Sequence, residues 1–360
     1  MAQSAVDEKK ILEALKSVID PELKVDIVTL GMIEGLSVAQ GKVALTVNLT
    51  TPGCPLKAQI EKDVRAAIAT VPGIAGVDLT MGAKVRKSIE PPADLIPEVA
   101  NTVAVGSGKG GVGKSTVAVN LALSFARAGA AVGLMDADIY GPNLVQMMGA
   151  TARPEIKDKK IMPVEAHGLR LMSMAFFLQG DEPVIWRGPM LHGAIRQFLG
   201  DVVWGKLDYL FIDMPPGTGD VQLTLSQIIP LTGAVLVTTP QDVALSDVRK
   251  AAAMFRKVRV PILGVVENMS FFECPHCGER TEIFSHGGGE RFAAAIEAPH
   301  LGSVPLDVRV RQGGDEGRPP VVHDPNSGPA LAFRAIAEKL AAVISVNTWR
   351  GHEHELATGR

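Results

Sequence analysis

The feature that most constrains this chain is a glycine-rich segment, GSGKGGVGKST, at residues 106–116. It fits the pattern G-x-x-x-x-G-K-[ST], which begins at Gly108 and ends at Gly113, Lys114 and Ser115. A strand-like apolar run precedes the segment and a helix-like run follows it. Glycines let backbone N–H groups turn inward around phosphate oxygens at the positively polarised N-terminus of that helix. The sequence therefore predicts a phosphate-binding loop between a parallel strand and a helix.

The side chains of this loop have predicted roles toward a nucleoside triphosphate. We expect Lys114 to reach the β- and γ-phosphates and the Ser115 hydroxyl to bind Mg²⁺. Lys109 is a second lysine within the loop, either a cation that helps to bind phosphate or a solvated surface side chain. The residues predicted to contact the nucleotide are Gly108, Lys109, Gly110, Gly111, Val112, Gly113, Lys114, Ser115 and Thr116.

Acidic side chains follow two other apolar, strand-like runs. Asp136 and Asp138 come directly after one run, and Asp213 comes directly after another. Carboxylates at the C-terminal ends of parallel strands point into the crevice where such sheets bind ligands. We expect Asp213 to hold Mg²⁺ through water, Asp138 to orient or deprotonate the attacking water, and Asp136 to support Asp138. Asp220, which ends a glycine-rich segment, is a weaker candidate for an acidic residue of the nucleotide site.

The identity of the base is predicted from Asn268, which follows a further apolar run. Its amide can pair with a nucleobase edge through one donor and one acceptor. The residues from Asn268 onward are NMSF, which is not the guanine-selecting pattern N-K-x-D. The sequence therefore favours adenine, and hence ATP.

The apolar pattern divides the chain into regions. Over residues 100–345, short continuous apolar runs alternate with helix-length segments, which predicts an α/β P-loop NTPase with a mostly parallel sheet covered on both faces. Residues 1–87 show amphipathic helix and strand periods and predict a small α+β domain. Residues 88–99 contain three prolines and predict a linker, and the polar residues 346–360 predict a disordered tail.

Charge and cysteine content narrow the class of partner. The chain has 36 Lys and Arg against 39 Asp and Glu, a net charge of −3, which gives no support for nucleic-acid binding. We find no signal peptide or transmembrane pattern, so we expect no membrane partner. Three cysteines cannot form a disulfide framework, which indicates a reducing, cytoplasmic location.

Two of the cysteines lie in CPHCG, where Cys274 and Cys277 can bring two thiolates to one metal centre. A 4Fe–4S cluster or a closed zinc site takes four ligands, so this spacing predicts a homodimer that contributes two cysteines from each chain. The residues leave cluster and zinc equally open, with His276 or His286 as further zinc ligands. A thioredoxin-like redox pair and two structural cysteines are the remaining interpretations.

The third cysteine, Cys54, lies in a turn before a predicted helix, where a helix N-terminus can lower the pKa of a thiol. It is either a functional thiol or a partly buried small side chain.

Taken together, these motifs resemble the Mrp/ApbC iron–sulfur cluster carrier ATPases, which have the deviant phosphate loop of the MinD-like dimeric ATPases. The resemblance rests on GKGGVGKS at 108–115, DADIYGPN at 136–143, DMPPGTGD at 213–220, TTPQDVALSDV at 238–248, VENMSFF at 266–272, CPHCG at 274–278 and LGSVPLD at 301–307. The N-terminal unit, with IDPEL at 19–23, LGMI at 30–33 and TTPGCPL at 50–56, resembles the small domain of PaaD-like and SufT-like iron–sulfur assembly factors.

The resemblance implies a homodimer that binds ATP and Mg²⁺ and holds a labile 4Fe–4S cluster between the paired Cys274 and Cys277 of two subunits. Such a carrier transfers its cluster to apo iron–sulfur proteins and works with assembly factors. ATP is then hydrolysed slowly, as a conformational switch, with Lys109 reaching the phosphates of the other subunit. The resemblance also favours the cluster over zinc, and it matches Cys54 to the cysteine of the small domain.

The competing function is a positioning ATPase of the MinD/ParA kind, in which the paired cysteines form a structural zinc clasp. Such a protein requires a basic amphipathic C-terminal helix or a basic DNA-binding patch. The helical pattern at 330–343 carries only Arg334 and Lys339 as positive charges, with Glu338 opposing them. This segment therefore predicts a packed helix rather than a membrane anchor.

Overall fold

The computed structural model describes residues 8–88, 95–139, 141–177 and 188–358. The chain divides into two compact units, one formed by Met1–Arg86 with Ala341–Arg360 and the other by Lys87–Leu340. Among the described residues, no helix has the length and apolar character that crossing a membrane requires.

The strands, in chain order, are β1 (Ile33–Ala39), β2 (Lys42–Leu49), β3 (Gly76–Ala83), β4 (Val99–Ser107), β5 (Val132–Asp136), β6 (Glu155–Lys157), β7 (Lys160–Met162), β8 (Val164–Ala166), β9 (Leu169–Ser173), β10 (Leu207–Asp213), β11 (Gly233–Thr238), β12 (Ile262–Glu267), β13 (Phe272–Glu273), β14 (Arg280–Thr281) and β15 (His300–Ser303). The helices are α1 (Glu8–Leu15), α2 (Lys57–Ala69), α3 (Lys114–Arg127), α4 (Leu144–Met147), α5 (Gly188–Gly200), α6 (Asp220–Ile228), α7 (Asp242–Lys257), α8 (Gly288–Ala295), α9 (Val308–Asp315), α10 (Pro320–His323) and α11 (Gly328–Thr358).

The smaller unit is an α+β fold whose core follows from its apolar periods. β2 pairs with β1 in antiparallel fashion and with β3 in parallel fashion. Alternate residues of β2 are buried, so one face of the sheet is apolar. α1 and α2 supply further members of the same core at helical spacing. This core contains Ile11, Leu15, Val43, Leu45, Val47, Leu49, Ile60, Val64 and Ile68.

The end of the chain differs from the sequence prediction. Residues 346–360 were expected to form a disordered tail, but α11 continues through this region to Thr358. Trp349 explains the difference, because it packs against the core of the smaller unit and its ring lies 4.6 Å from the Arg86 guanidinium. An apolar contact and a cation–π contact therefore order a segment whose composition is polar.

Replacing Trp349 with alanine is expected to lower the free energy of unfolding of the smaller unit by about 2 kcal/mol, because buried aromatic area and the contact with Arg86 are both lost. The effect is measured by urea unfolding of the smaller unit, monitored through hydrogen exchange of the backbone amides of β2. Replacement of the neighbouring, exposed Arg350 with alanine is the control and should change little. An unchanged stability in the Trp349 variant would contradict the packing explanation.

The larger unit has the α/β architecture that the sequence predicts. Eight of its described strands form one sheet in the order β15-β12-β11-β4-β10-β5-β9-β8, parallel except for the antiparallel β8–β9 pair. β4, β5, β10 and β11 are almost entirely buried, as expected of strands with helices on both faces. The C-terminal ends of β4, β5, β10 and β12 therefore lie at one edge of the sheet.

The first part of α11 is packed, as the sequence predicts for residues 330–343. The side chains of Ala330, Phe333, Ile336, Ala337 and Leu340 are buried at helical spacing.

Candidate functional site

The glycine-rich loop connects β4 to α3 and is held tightly by its surroundings. A side chain at Gly108 would overlap the backbone of Asp247, because the closest backbone atom would lie 2.2 Å from the added carbon. Gly113 caps α3 in the left-handed conformation with φ of 81°, which a residue with a side chain adopts only with strain. The two glycines are therefore required by the local structure, and the loop ends at a helix N-terminus suited to bind an anion.

Lys114 lies in the first turn of α3, and its ammonium group contacts two carboxylates. The Nζ atom lies 2.7 Å from Oδ1 of Asp213 and 3.6 Å from Oδ2 of Asp138. All three side chains are largely buried, with exposed fractions of 6% for Lys114, 1% for Asp213 and 13% for Asp138. The fold thus brings together the loop lysine and acids from the ends of β5 and β10.

Asp136 supports this cluster from a fully buried position at the end of β5. Burial is the main cause that raises the pKa of Asp136 to about 8, and the nearby charge of Asp213 is the second. Ser173 Oγ donates a hydrogen bond to Asp136 Oδ2 at 3.0 Å, and the backbone N–H of Asp138 donates to Oδ1 at 3.1 Å. Asp136 therefore fixes the backbone that carries Asp138 and makes no described contact with the cleft. Ser173 was not identified from the sequence, because it lies in a distant segment and belongs to no motif.

Asp138 faces the cleft and lies close to Lys114. Burial raises its pKa, and the charge of Lys114 opposes that shift. Its backbone carbonyl accepts a hydrogen bond from the N–H of Gly141 at 3.2 Å, which fixes the turn after β5.

The oxygen atoms beside Lys114 fit a magnesium ion. Ser115 Oγ donates a hydrogen bond to Oδ2 of Asp213 at 2.6 Å, so a hydroxyl and a carboxylate already lie together at the start of α3. Hard oxygen ligands of this kind are those that Mg²⁺ takes in phosphate-binding sites. We propose that Ser115 would hold the ion and that Asp213 would contact it through water.

A cleft of about 510 Å³ opens over the loop, within the range of roughly 300–1,000 Å³ typical of ligand sites. Its lining includes Lys109, Lys114, Ser115, Thr116 and Asp138. The turn after β15 and α9 also contribute to the wall of the cleft, through Leu306, Asp307, Val310 and Arg311. The sequence motif that ends at Asp307 indicated family but not this role.

Two further predicted residues, Lys109 and Asn268, make contacts at the phosphate loop. Lys109 is half-buried, and its carbonyl accepts a hydrogen bond from Ser107 Oγ at 3.0 Å. Asn268 is buried, and its amide nitrogen donates to the carbonyl of Val112 at 2.9 Å. The side chain of Asn268 therefore holds the phosphate loop, and its contact with a base remains a prediction. The side chain of Asp220 lies outside the described residues.

The two spaced cysteines lie in a hairpin between β12 and α8. β13 and β14 pair in antiparallel fashion, and the Cys274 N–H donates to the carbonyl of Glu279 at 2.9 Å. The Gly278 N–H donates to the carbonyl of Cys274 at 2.8 Å, which closes the turn. Hydrogen bonds from the backbone N–H groups of Cys277 and His276 lower the pKa of the Cys274 thiol, and so does the Cys277 side chain. The hairpin thus favours the thiolate, which is the form that binds metal.

The hairpin is accessible. Cys277 is exposed and Cys274 is half-buried. His286 Nδ1 lies 2.9 Å from Oε1 of Glu282, and within the described ranges no three His, Cys, Asp or Glu side chains are grouped to hold a metal. Two exposed apolar side chains, Ile283 and Phe284, follow the hairpin directly.

Cys54 belongs to the smaller unit, where it is half-buried and packs against the apolar core. Its role remains a prediction.

Two protein-family models match parts of this chain. A family model described as the NUBPL iron-transfer P-loop NTPase matches residues 98–341, and a model described as an iron–sulfur cluster assembly protein matches residues 8–79. The iron–sulfur cluster carrier protein of Deinococcus radiodurans is 54% identical over 340 residues, which cover 94% of this chain and 96% of that protein.

Solved structures support the same fold. A nucleotide-binding protein from Archaeoglobus fulgidus, solved in complex with ADP, has a TM-score of 0.57 and 39% identity, covering 64% of this chain and 90% of that chain. The cell division ATPase MinD of Pyrococcus furiosus has a TM-score of 0.51 and 24% identity, covering 67% of this chain and 98% of that chain. The second likeness concerns the fold alone.

Proposed function

Because this chain belongs to the family of NUBPL iron-transfer P-loop NTPases, joined here to an iron–sulfur cluster assembly domain, we propose that it is an ATP-dependent carrier of 4Fe–4S clusters. It carries iron–sulfur clusters for apo-proteins, and its P-loop domain binds and hydrolyses a nucleotide. The proposal adds how the cluster is held and how the nucleotide controls its release.

The nucleotide part of the proposal is supported by the buried cluster at the start of α3. Lys114 holds the terminal phosphates, and Asp138, close to Lys114, orients the attacking water. Mg²⁺, when bound beside Ser115 and Asp213, neutralises charge on the phosphates. Lys109 extends from the loop toward the phosphates of a second subunit. The tight packing of Asp136 keeps Asp138 in place during this reaction.

The cargo part of the proposal is supported by the cysteine hairpin. A 4Fe–4S cluster takes four thiolates, and one hairpin supplies two, Cys274 and Cys277. Two hairpins brought together in a homodimer complete the set, and the exposed Ile283 and Phe284 give this face an apolar surface suited to self-association. A cluster held at an exposed subunit interface is released when the hairpins separate, which suits transfer.

The observation that carries the coupling is a direct connection between the hairpin and the nucleotide cleft. The Leu306 N–H donates to the carbonyl of Phe271 at 2.7 Å, and Leu306 pairs with Phe272 as an isolated parallel bridge. Leu306 also lines the nucleotide cleft. A shift of this wall when nucleotide binds or is hydrolysed therefore moves the strand that leads to Cys274.

A cluster transfer assay tests the proposed function. The anaerobically reconstituted protein, mixed with an apo 4Fe–4S enzyme, is expected to restore the activity of that enzyme, and ATP with Mg²⁺ is expected to change the transfer rate by about fivefold or more. Stable zinc in place of the cluster, with no transfer, would contradict the proposal and favour the positioning ATPase. A lipid flotation assay then tests that alternative.

A further inference from the structure

One buried carboxylate in the larger unit has no part in the mechanism above. Glu267 is the last residue of β12 and is 1% exposed. Its Oε1 atom accepts a hydrogen bond from Ser270 Oγ at 2.5 Å, and its Oε2 atom accepts one from the backbone N–H of Gly289. Both donors are neutral, so the carboxylate is held by hydrogen bonds. Loss of either donor would leave a buried carboxylate oxygen without a partner, at a large desolvation cost. Both contacts therefore help to hold Glu267 in place.

The two donors flank the segment that contains the cysteine hairpin. Ser270 lies two residues before β13, and Gly289 lies in the first turn of α8, eight residues after the end of β14. Glu267 therefore ties the chain before the hairpin to the chain after it. A side chain at Gly289 would come within 2.8 Å of Glu267 Cβ, so α8 approaches the carboxylate as closely as its backbone allows.

The next residue along the chain holds the phosphate loop. Asn268 donates to the carbonyl of Val112, and a side chain at Gly113 would lie 2.1 Å from its amide nitrogen. Met269, between Asn268 and Ser270, has φ of 54°, a left-handed conformation that strains the backbone of a non-glycine residue. The adjacent side chains of Asn268 and Glu267 thus hold the phosphate loop and the chain on both sides of the cysteine hairpin, and the strained turn follows them.

We propose that Glu267 is a positioning residue that transmits the state of the phosphate loop to the cysteine ligands. Movement of Val112 and Gly113 displaces Asn268, and that displacement passes directly to Glu267, the preceding residue in the chain. Because Glu267 holds the chain on both sides of the hairpin, the segment from Ser270 to Gly289 moves as one body and not by bending at one end. This inference rests on the proposed function, since it assigns a residue to the coupling between nucleotide and cluster.

Alkylation of the cysteines by N-ethylmaleimide tests the proposal on the full chain without cluster. Peptide mass spectrometry resolves Cys274 and Cys277 from Cys54, whose rate in the same samples is an internal reference. In the wild-type protein, a non-hydrolysable ATP analogue is expected to change the rate at the hairpin cysteines by about fivefold or more. In the Glu267→Ala variant this change is expected to fall below about twofold, with nucleotide affinity within about twofold of wild type.

A conservative variant and a matched control complete the test. Glu267→Gln keeps the side-chain volume but leaves one oxygen to accept from two donors, so we expect an intermediate response to nucleotide. Glu273→Ala removes an exposed carboxylate next to Cys274 and should respond as the wild type does. A response to nucleotide in Glu267→Gln that lies between those of Glu267→Ala and the wild type would separate a positioning role from a general loss of structure.

Three results would overturn the proposal. A wild-type response to nucleotide in Glu267→Ala would show that the carboxylate transmits nothing. Loss of nucleotide binding in both Glu267 variants would show that the residue maintains the fold of the loop. Absence of any response in the wild-type protein would remove the nucleotide switch of the proposed function as well, and that result is distinct from failure of the Glu267 variants alone.

Discussion

Replacing Cys274 or Cys277 with serine is expected to abolish the 4Fe–4S cluster, leaving less than about a tenth of the iron that the wild-type protein binds. The wild-type protein is expected to hold about two irons per chain, because one cluster is shared by two chains. Each variant removes two of the four thiolates from a dimer. Hydrogen bonds lower the pKa of the Cys274 thiol, but they do not turn a serine hydroxyl at this position into an equivalent ligand.

Iron and sulfide analysis after anaerobic reconstitution, together with optical and Mössbauer spectra, measures this effect. Cys54→Ser is the matched control, because Cys54 lies in the smaller unit and packs against its core. We expect this variant to keep the wild-type iron content. A cluster that persisted in either hairpin variant would contradict the assignment of Cys274 and Cys277 as its ligands.

Replacing Lys114 with alanine is expected to lower the ATP hydrolysis rate by about 10²–10³-fold, since its ammonium group is the cation beside the transferred phosphate. The change also removes the cation that pairs with the buried Asp213 and Asp138, which is expected to lower the free energy of unfolding by about 3 kcal/mol. The cysteine hairpin is not altered. The variant should therefore still assemble a cluster but deliver it slowly and without a response to ATP.

Two further variants separate these effects. The double variant Lys114→Ala with Asp213→Asn removes the unbalanced charge and is expected to recover part of the stability but none of the hydrolysis. Lys250→Ala breaks an exposed ion pair with Asp247 and serves as the control for loss of a lysine. Cluster delivery by Lys114→Ala at the wild-type rate, with the same response to ATP, would show that the nucleotide does not control release.

The sequence predicts the parts of the site that lie within short motifs. The phosphate loop, Asp138 and Asp213 each follow a strand of the parallel sheet, and the parallel direction of these strands places them at one edge. Ser173 and Leu306 could not be predicted, because each comes from a distant segment and its role depends on how the chain packs. A motif identifies residues that are close along the chain, whereas these contacts join residues far apart in it.

Asn268 and the end of the chain show the same limit. An asparagine after a strand is suited to a nucleobase by its chemistry, yet its amide donates to the loop carbonyl of Val112. Residues 346–358 are polar enough to predict disorder, yet Trp349 packs against the core of the smaller unit and α11 extends to Thr358. At the end of the chain, local composition was outweighed by a specific tertiary contact, whereas contact of Asn268 with a base remains a prediction.

Native mass spectrometry of the anaerobically reconstituted protein tests the central claim most directly, because it weighs the chains and the metal centre together. The account predicts a species of two chains with one 4Fe–4S cluster, which is lost when Cys274 is replaced with serine. A single chain that carries its own cluster, or a dimer that carries zinc and takes up no cluster, would contradict it.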